Sequence, residues 1–181
     1  MNASATLSPP VSERDHAEGH AGAPLTLVEF GDYQCPYCGE AYPVVKQLQK
    51  ALGKKLRFVF RNFPLTQAHP YAMVAAEVAE AAALQGKFWE MHDLIYENQE
   101  LLEPDVLSSW SAQVGLDVEK LGSAIKQGKI TRRIKEDRAS GIASGVFGTP
   151  CFFVNGNRHD GPADFESLMA ALENQPINEV F

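Results

Sequence analysis

The alternation of apolar and polar residues predicts a β-strand at positions 25–30, in which Leu25, Leu27 and Glu29 share one face. The same alternation predicts a second strand at positions 56–61. Between the two strands, apolar positions recur at helical spacing, namely Ala41, Val44, Val45, Leu48 and Leu52. The first part of the chain is therefore predicted to run strand, helix, strand.

Positions 68–146 carry a helical pattern without a strand signal. Helices are predicted at 71–84 and 88–96, from Pro104 to a stop at Gly115, after a cap at Asp117, and around Ile130, Ile134 and Ile142. A helical stretch of this length does not fit inside a small sheet, so we expect a helical lobe inserted between two halves of the sheet. Packing or surface positions are expected for four chemically versatile side chains of this lobe, which are His69, Trp89, His92 and Trp110.

Strand signals return after the lobe. Cys151–Val154 is predicted to be a strand, and Asn155-Gly156 is typical of a type I′ turn that leads into a further strand at 157–160. A final helix is predicted at 164–172. The fold class is therefore α/β, with a small mixed sheet, flanking helices and an inserted all-helical lobe.

Composition limits the classes of partner. The net charge is −7, with 23 acidic and 16 basic residues and no basic cluster, which argues against nucleic acid. The apolar runs are only a few residues long, so no membrane contact is expected. Residues 1–24 lack the continuous apolar region of a secretory signal. They predict a mobile arm and a cytoplasmic protein, or a periplasmic one if a signal peptide has been removed.

The candidate chemistry lies in Cys35-Pro36-Tyr37-Cys38, just after the first strand. Pro36 suits the first position of a helix, because its missing N–H would have no partner there, and this places Cys35 at the N-cap. Free backbone N–H groups and the positive end of the helix dipole lower the pKa of a thiol at that position. Cys38 follows one turn later on the same face, so the spacing favours a redox-active dithiol.

Other uses of this cysteine pair are open on the residues alone. A zinc or iron–sulfur module, a structural disulfide and two packed cysteines are the alternatives. A structural zinc site normally has four ligands, and the sequence contains only one further cysteine, Cys151. Cys151 is expected either to fill the core beneath the site or to act as a third redox thiol.

The chain resembles the thioredoxin superfamily in the position of Pro43 within the helix that follows the dithiol. The Pro-Tyr dipeptide between the cysteines is similar to that of glutaredoxins. The resemblance implies that Glu29, six residues before Cys35, is a buried proton acceptor, whereas the alternative is an exposed glutamate at the strand end. It also implies that Thr149-Pro150 contains a cis-proline facing the dithiol, with an ordinary trans proline as the alternative.

Residues 15–172 as a whole resemble the DsbA-like oxidoreductases, in which a helical insertion splits a thioredoxin fold. The segments that carry this resemblance are Asp15-His16, Gly19 and Ala23–Tyr33. The implied domains are a mobile arm at 1–24, a thioredoxin-fold domain at 25–65 and 147–174, an inserted helical domain at 66–146 and a C-terminal tail at 175–181. The chain differs from the best-known periplasmic members by Pro-Tyr in place of Pro-His and by Cys151 in place of a threonine or small residue.

The resemblance implies a protein disulfide oxidoreductase that exchanges disulfides with protein or peptide thiols and needs no bound cofactor or metal. Cys35 would react with the partner, and Cys38 would resolve the mixed disulfide. The residues implied to contact the substrate are Pro36, Tyr37, Thr149 and Pro150. Glutathione or a thioredoxin-type reductant is a further expected redox partner. A kappa-class glutathione transferase or isomerase shares the insertion and is the alternative enzyme, although its attacking residue is usually a serine.

Overall fold

The computed structural model of the chain describes residues 5–174. It contains a five-stranded mixed sheet with the strand order β1-β3-β2-β4-β5. The strands are β1 (His16–Glu18), β2 (Leu25–Gly31), β3 (Leu56–Asn62), β4 (Cys151–Val154) and β5 (Asn157–Arg158). Among them β2 and β3 are parallel, and the other neighbours are antiparallel, which confirms the predicted fold class. The predicted tail at 175–181 and the first four residues of the predicted arm lie outside the described residues.

Seven α-helices lie within residues 5–174. Helix α1 (Pro36–Leu52) connects β2 to β3, and α7 (Phe165–Glu173) follows the sheet and packs against α1. The helices between β3 and β4 are α2 (Ala72–Ala83), α3 (Phe88–Glu97), α4 (Pro104–Gln113), α5 (Val118–Lys126) and α6 (Lys129–Ala143). In the described part of the chain, no helix combines the length and the apolar character needed to cross a bilayer.

Both faces of the central strands are buried, because side chains alternate between the faces. Leu27, Phe58 and Phe152 belong to the larger core cluster, which also contains residues of α1, α7 and the helical lobe. Val28 and Phe153 belong to a smaller cluster on the opposite face. The larger core is continuous from the sheet into the lobe. The division into a thioredoxin-fold domain and an inserted domain stays a prediction.

The central position of β2 determines where the dithiol loop lies. Gly31 at the end of β2 is opposite Asn62 of β3, and Phe30 is opposite Cys151 of β4. Parallel strands need a crossover connection, which α1 supplies between β2 and β3. The loop that leads from β2 into α1 therefore lies beside the start of β4.

The N-terminal segment differs from the mobile arm that was predicted for residues 1–24. Strand β1 pairs with β3, and Thr6 forms an isolated bridge with Asn157 of β5. Arg61 of β3 is 2 % exposed, and its guanidinium donates to both carboxylate oxygens of Asp15, at 2.7 and 3.1 Å. A strand of three residues shows no periodic pattern, and a buried ion pair has no local signature, so the sequence did not reveal these contacts.

Gly141 of α6 is in tight contact with the rings of Phe63 and Phe30. A Cβ atom added at Gly141 would lie 2.7 Å from the Phe63 ring and 3.0 Å from the Phe30 ring. Gly141→Ala is therefore expected to lower the free energy of unfolding by about 1–3 kcal/mol, because packed side chains must move to accommodate the methyl group. Urea unfolding followed by circular dichroism measures this change.

The matched control is Gly122→Ala in α5, because nothing lies within 4 Å of a Cβ atom added there. Helix propensity alone should then raise the free energy of unfolding by about 0.5–1 kcal/mol. A stabilisation of the same size at Gly141 would contradict the tight packing of α6 against Phe63.

Candidate active site

The dithiol is carried by the loop that joins β2 to α1. The helix begins at Pro36, and Cys35 occupies the N-cap with extended torsion angles of φ −71° and ψ 121°, as the sequence predicted. The Cys35 N–H donates to the carbonyl oxygen of Asp32, and the Cys35 carbonyl oxygen accepts from the N–H groups of Cys38 and Gly39, each at 3.1 Å. These bonds hold Cys35 at the start of the helix with Cys38 one turn further on.

The two thiols are not joined by a disulfide in this structure. The Cys35 Sγ lies 3.4 Å from the carbonyl oxygen of Thr149, to which the thiol donates when it is protonated. The backbone N–H of Asp32 donates to the Cys38 Sγ at 3.5 Å. Cys35 is 3 % exposed and Cys38 is fully buried, so a partner can reach only a small part of Cys35.

The pKa values of the two thiols shift in opposite directions. The pKa of Cys35 falls from 9.0 to about 5, mainly because the Cys38 thiol donates a hydrogen bond to it. Burial opposes this shift, while the backbone N–H groups of Cys38 and Tyr37 favour it. The pKa of Cys38 is raised well above 9.0, chiefly by burial. At neutral pH the pair is therefore a Cys35 thiolate stabilised by a Cys38 thiol.

The cause of the low pKa differs in part from the sequence-based prediction. The backbone N–H groups at the helix N-terminus contribute as predicted, but the hydrogen bond from Cys38 contributes more. This bond depends on how closely the two side chains approach, which the C-x-x-C spacing permits but does not establish.

Glu29 of β2 is a buried acid, with 3 % of its surface exposed. Burial raises its pKa to about 8, and the charge of the Cys35 thiolate adds to the shift. Its Oε1 atom has no hydrogen-bond partner among residues 5–174. The alternative of an exposed glutamate at the strand end is therefore wrong. The role of Glu29 as a proton acceptor stays a prediction.

The Thr149-Pro150 peptide bond is cis, as predicted, and lies directly before β4. A cleft of about 540 Å³ opens beside it, and Tyr37 and Glu40 of α1 line this cleft together with both residues. The hydroxyl of Thr149 is buried and has no hydrogen-bond partner in the described part of the chain. The structure thus brings Tyr37, Thr149 and Pro150 together around Cys35, while their contact with substrate stays a prediction.

Asp32 is an important residue of the site that sequence reasoning missed. Its buried carboxylate accepts hydrogen bonds from the N–H of Gln34 (2.7 Å), the N–H of Leu65 (2.8 Å) and Nδ1 of His69 (2.8 Å). It therefore joins the dithiol loop to the segment that follows β3. His69 thus has a specific hydrogen-bond partner in Asp32 rather than a general packing or surface role. The sequence did contain a signal for this role of Asp32, namely an acidic residue placed between a predicted strand and a predicted helix N-terminus.

Gln99 is a second missed residue, and it belongs to the helical lobe. Its side-chain amide donates to the carbonyl oxygens of Tyr33 (2.9 Å) and Cys35 (2.8 Å). A Cβ atom at Gly39 would lie only 2.2 Å from the Gln99 side chain, so glycine is needed for this approach. The lobe thereby fixes the backbone of the dithiol loop. A contact between residues more than 60 positions apart has no signal in a single sequence.

The remaining versatile side chains of the lobe have the packing roles that were expected. His92 is 2 % exposed, and its Nδ1 lies 3.0 Å from the hydroxyl of Tyr33. Burial holds the pKa of His92 well below its ordinary range, so the ring is neutral. Trp89 packs against the core, and Trp110 belongs to it.

Cys151 directly follows the cis-proline in the sequence. It is half-buried on β4 and packs against the smaller core cluster. Burial raises the pKa of its thiol to about 11, so the thiol is protonated at neutral pH. Within residues 5–174 no group of three or more His, Cys, Asp and Glu side chains is arranged to hold a metal ion.

Comparison with known proteins identifies the family of the chain. The family model for thioredoxin matches residues 11–174. The Na⁺/H⁺ antiporter NhaA 3 of Salinispora tropica is 46% identical over 160 residues, which cover 88% of this chain and 24% of the antiporter. The chain thus spans about a quarter of the length of this relative.

Solved structures share the fold over nearly the whole chain. A thioredoxin-like oxidoreductase from Silicibacter pomeroyi has a TM-score of 0.78 and 28% identity, covering 90% of this chain and 92% of that protein. The thiol-disulfide exchange protein α-DsbA2 from Wolbachia pipientis has a TM-score of 0.79 and 22% identity, covering 90% and 87%. The predicted DsbA-like fold is confirmed.

The predicted cytoplasmic location is wrong. A periplasmic thioredoxin-like protein from Salmonella enterica serovar Typhimurium has the same fold, with a TM-score of 0.71 and 19% identity, covering 92% of this chain and 91% of that protein. The prediction rested on the composition of residues 1–24. The antiporter match shows that such a domain also occurs within a longer chain, where the composition of this segment does not report the compartment.

The assignment rests on the match over residues 11–174, on the DsbA-like fold and on a dithiol at the start of α1. The chain belongs to the thioredoxin family and has the DsbA-like fold of a protein disulfide oxidoreductase.

Proposed function

We propose that this protein exchanges disulfides with protein or peptide thiols through Cys35 and Cys38. The observation that carries the proposal is the opposite shift of the two thiol pKa values, to about 5 for Cys35 and well above 9.0 for Cys38. A thiolate is the nucleophile in disulfide exchange, so Cys35 can react first. The neutral Cys38 thiol beside it reacts only in the second step, after it loses its proton. The cleft beside Thr149 and Pro150 offers a place for the partner chain.

In the first step the Cys35 thiolate attacks one sulfur of a partner disulfide. A bond forms between Cys35 and that sulfur, the partner's S–S bond breaks, and the other partner sulfur leaves as a thiolate. In the second step Cys38 loses its proton and attacks the Cys35 sulfur. The bond between Cys35 and the partner breaks, and the partner sulfur that was bonded to Cys35 leaves as a thiolate. The partner has then gained two electrons, and the protein holds a Cys35–Cys38 disulfide. The reverse sequence transfers that disulfide to a partner dithiol.

We propose that Glu29 accepts the proton that Cys38 loses in the second step. The negative charge of the Cys35 thiolate contributes to the raised pKa of Glu29. That charge disappears when Cys35 enters a mixed disulfide, so the pKa of Glu29 falls at the moment when Cys38 must lose its proton. Glu29 is then deprotonated to a greater extent after the first step than before it, although burial still raises its pKa.

We further propose that Pro36, Tyr37, Thr149 and Pro150 contact the partner, and that glutathione or a thioredoxin-type protein regenerates the dithiol. A location outside the cytoplasm is the one we favour, supported by the fold shared with a periplasmic thioredoxin-like protein. Protein disulfides persist in such compartments, where the proposed exchange has substrates.

The reactivity of Cys35 should report the hydrogen bond from Cys38. We expect the rate of alkylation of reduced protein by iodoacetamide to follow an apparent pKa of about 5 at Cys35, with little label at Cys38. Cys38→Ala removes the donor and should raise the apparent pKa by at least about one unit, whereas Cys38→Ser keeps a hydroxyl donor and should raise it less. Peptide mass mapping at each pH identifies the labelled residue.

The Cys38→Ser variant also tests the exchange mechanism itself. A mixed disulfide at Cys35 has no internal route of release in this variant, so covalent adducts with a disulfide-containing substrate should accumulate and be released by dithiothreitol. Absence of adducts, alongside normal insulin reduction by the wild type, would rule out the two-cysteine mechanism.

Glu29→Gln should change how stability depends on pH. Because the pKa of Glu29 is about 8 in the folded state and about 4.5 in the unfolded chain, its stabilising contribution is complete below about pH 4.5 and is lost as pH rises through 8. The variant should therefore become more stable than the wild type between pH 5 and 8, by a few kcal/mol, and should resolve mixed disulfides more slowly. Urea unfolding of reduced protein at several pH values measures the first effect.

The matched control is Glu119→Gln, which removes an exposed carboxylate from α5. Its difference from the wild type should not vary over this pH range. A pH-independent difference for Glu29→Gln as well would contradict the raised pKa and the proton-transfer role.

Cys151 is expected to pack and not to exchange. Cys151→Thr should leave insulin reduction within a few-fold of the wild type, because the half-buried thiol is protonated at neutral pH. Oxidised wild type should show one free thiol with Ellman's reagent after unfolding. A folded but inactive Cys151→Thr variant would instead make Cys151 part of the mechanism.

A further inference from the structure

Phe147 is the most exposed of the large apolar side chains in the described part of the chain, with 90% of its surface open to solvent. The loop that carries it is well anchored. Val146 is 2 % exposed, and its N–H donates to the carbonyl oxygen of Gly141 at 2.9 Å. The outward position of Phe147 is therefore a defined feature of the loop rather than the result of a loose segment.

Phe147 lies two residues before Thr149, whose carbonyl oxygen is 3.4 Å from the Cys35 sulfur. It lines a second cleft, of about 410 Å³, together with Thr149, Pro150 and residues 158–161. The first cleft, lined by Tyr37, shares Thr149 and Pro150 with the second. The two clefts thus meet at the cis-proline. One exposed aromatic ring lines each cleft: Tyr37, which is 67% exposed, lines the first, and Phe147 lines the second.

Because the Thr149 carbonyl oxygen is 3.4 Å from the Cys35 sulfur, a partner cysteine bonded to Cys35 would lie beside both clefts. An extended chain advances about 3.3 Å per residue, so residues one or two positions from that cysteine are within reach of either cleft. In the second cleft, Arg158 and Asp160 already form an ion pair with an N–O distance of 2.6 Å. Their charges are satisfied within the protein, which leaves the ring of Phe147 as the surface that gains most from a partner.

We propose that Phe147 is a specificity-determining residue that contacts an apolar side chain one or two positions from the partner's reacting cysteine. The proposal rests on the proposed disulfide exchange and adds to it the chemistry of the preferred substrate. Peptides with an apolar residue beside the cysteine react faster than those with a polar residue at the same place. Small disulfides that do not reach Phe147 react independently of it.

The test uses two short peptides, each carrying a cysteine disulfide-bonded to glutathione. One peptide has leucine on both sides of the cysteine and the other has serine. Rates of reaction with reduced protein, under single-turnover conditions, are measured by quenching and separating the products. The wild type should react with the leucine peptide about ten-fold faster than with the serine peptide, a ratio typical of one apolar contact.

Variants at Phe147 and at a control position test whether the preference for leucine comes from contact with the Phe147 ring or from a change in the fold. Phe147→Ala should reduce the ratio to within about two-fold, and Phe147→Leu should keep most of it, because an apolar surface is retained. Leu84→Ala is the control: Leu84 is 71% exposed and lines a different cleft, with Glu13 and Arg133, so this variant should keep the full ratio. All variants should react with oxidised glutathione at the wild-type rate within about two-fold.

The outcomes are distinguishable. No reaction of the wild type with oxidised glutathione or either peptide would refute the exchange activity itself. Normal reaction without a preference for the leucine peptide, or a preference that survives in Phe147→Ala, would overturn the role of Phe147 alone. A dimer in wild-type sedimentation that Phe147→Ala dissociates would assign the ring to self-association and would also overturn the proposal.

Discussion

The burial of β2 between β3 and β4 is the constraint on which the rest of the site depends. Its alternating side chains fill both cores, so its register cannot shift by one residue without placing Glu29 on the wrong face. At its end a Cβ atom on Gly31 would lie 2.4 Å from the ring of Phe60, so the strand ends without a side chain there. The dithiol loop can begin only at that point, above the buried acid and beside the cis-proline.

At neutral pH, Cys35, Cys38 and Glu29 together carry little more than one negative charge. Cys35 holds it because Cys38 donates a hydrogen bond, while Cys38 and Glu29 keep their protons because they are buried. Each covalent change at Cys35 therefore alters the proton affinity of the other two groups. In the proposed mechanism, this electrostatic interaction couples the covalent step at Cys35 to the proton transfer.

The parts of the fold that sequence reasoning predicted are those with local causes. Alternation indicated β2 and β3, and Pro36 indicated the start of α1. The cis bond at Thr149-Pro150 was instead implied by the family resemblance. Contacts between distant residues could not be predicted, among them Asp32 with His69 and Gln99 with the dithiol loop. Strand β1 was also missed, because three residues carry too little pattern to be recognised. The cellular compartment could not be predicted either, because the composition of residues 1–24 does not report it.

The N-terminal segment described above covers the sheet at both of its sides. Strand β1 pairs along β3, and near β5 the N–H of Leu7 donates to Gly156 while the carbonyl oxygen of Ala5 accepts from Arg158. The sheet would otherwise present unpaired backbone groups at both margins, which is the usual starting point for pairing between molecules. A polar segment of ordinary composition thus pairs with backbone groups that would otherwise be open to strand pairing with another molecule.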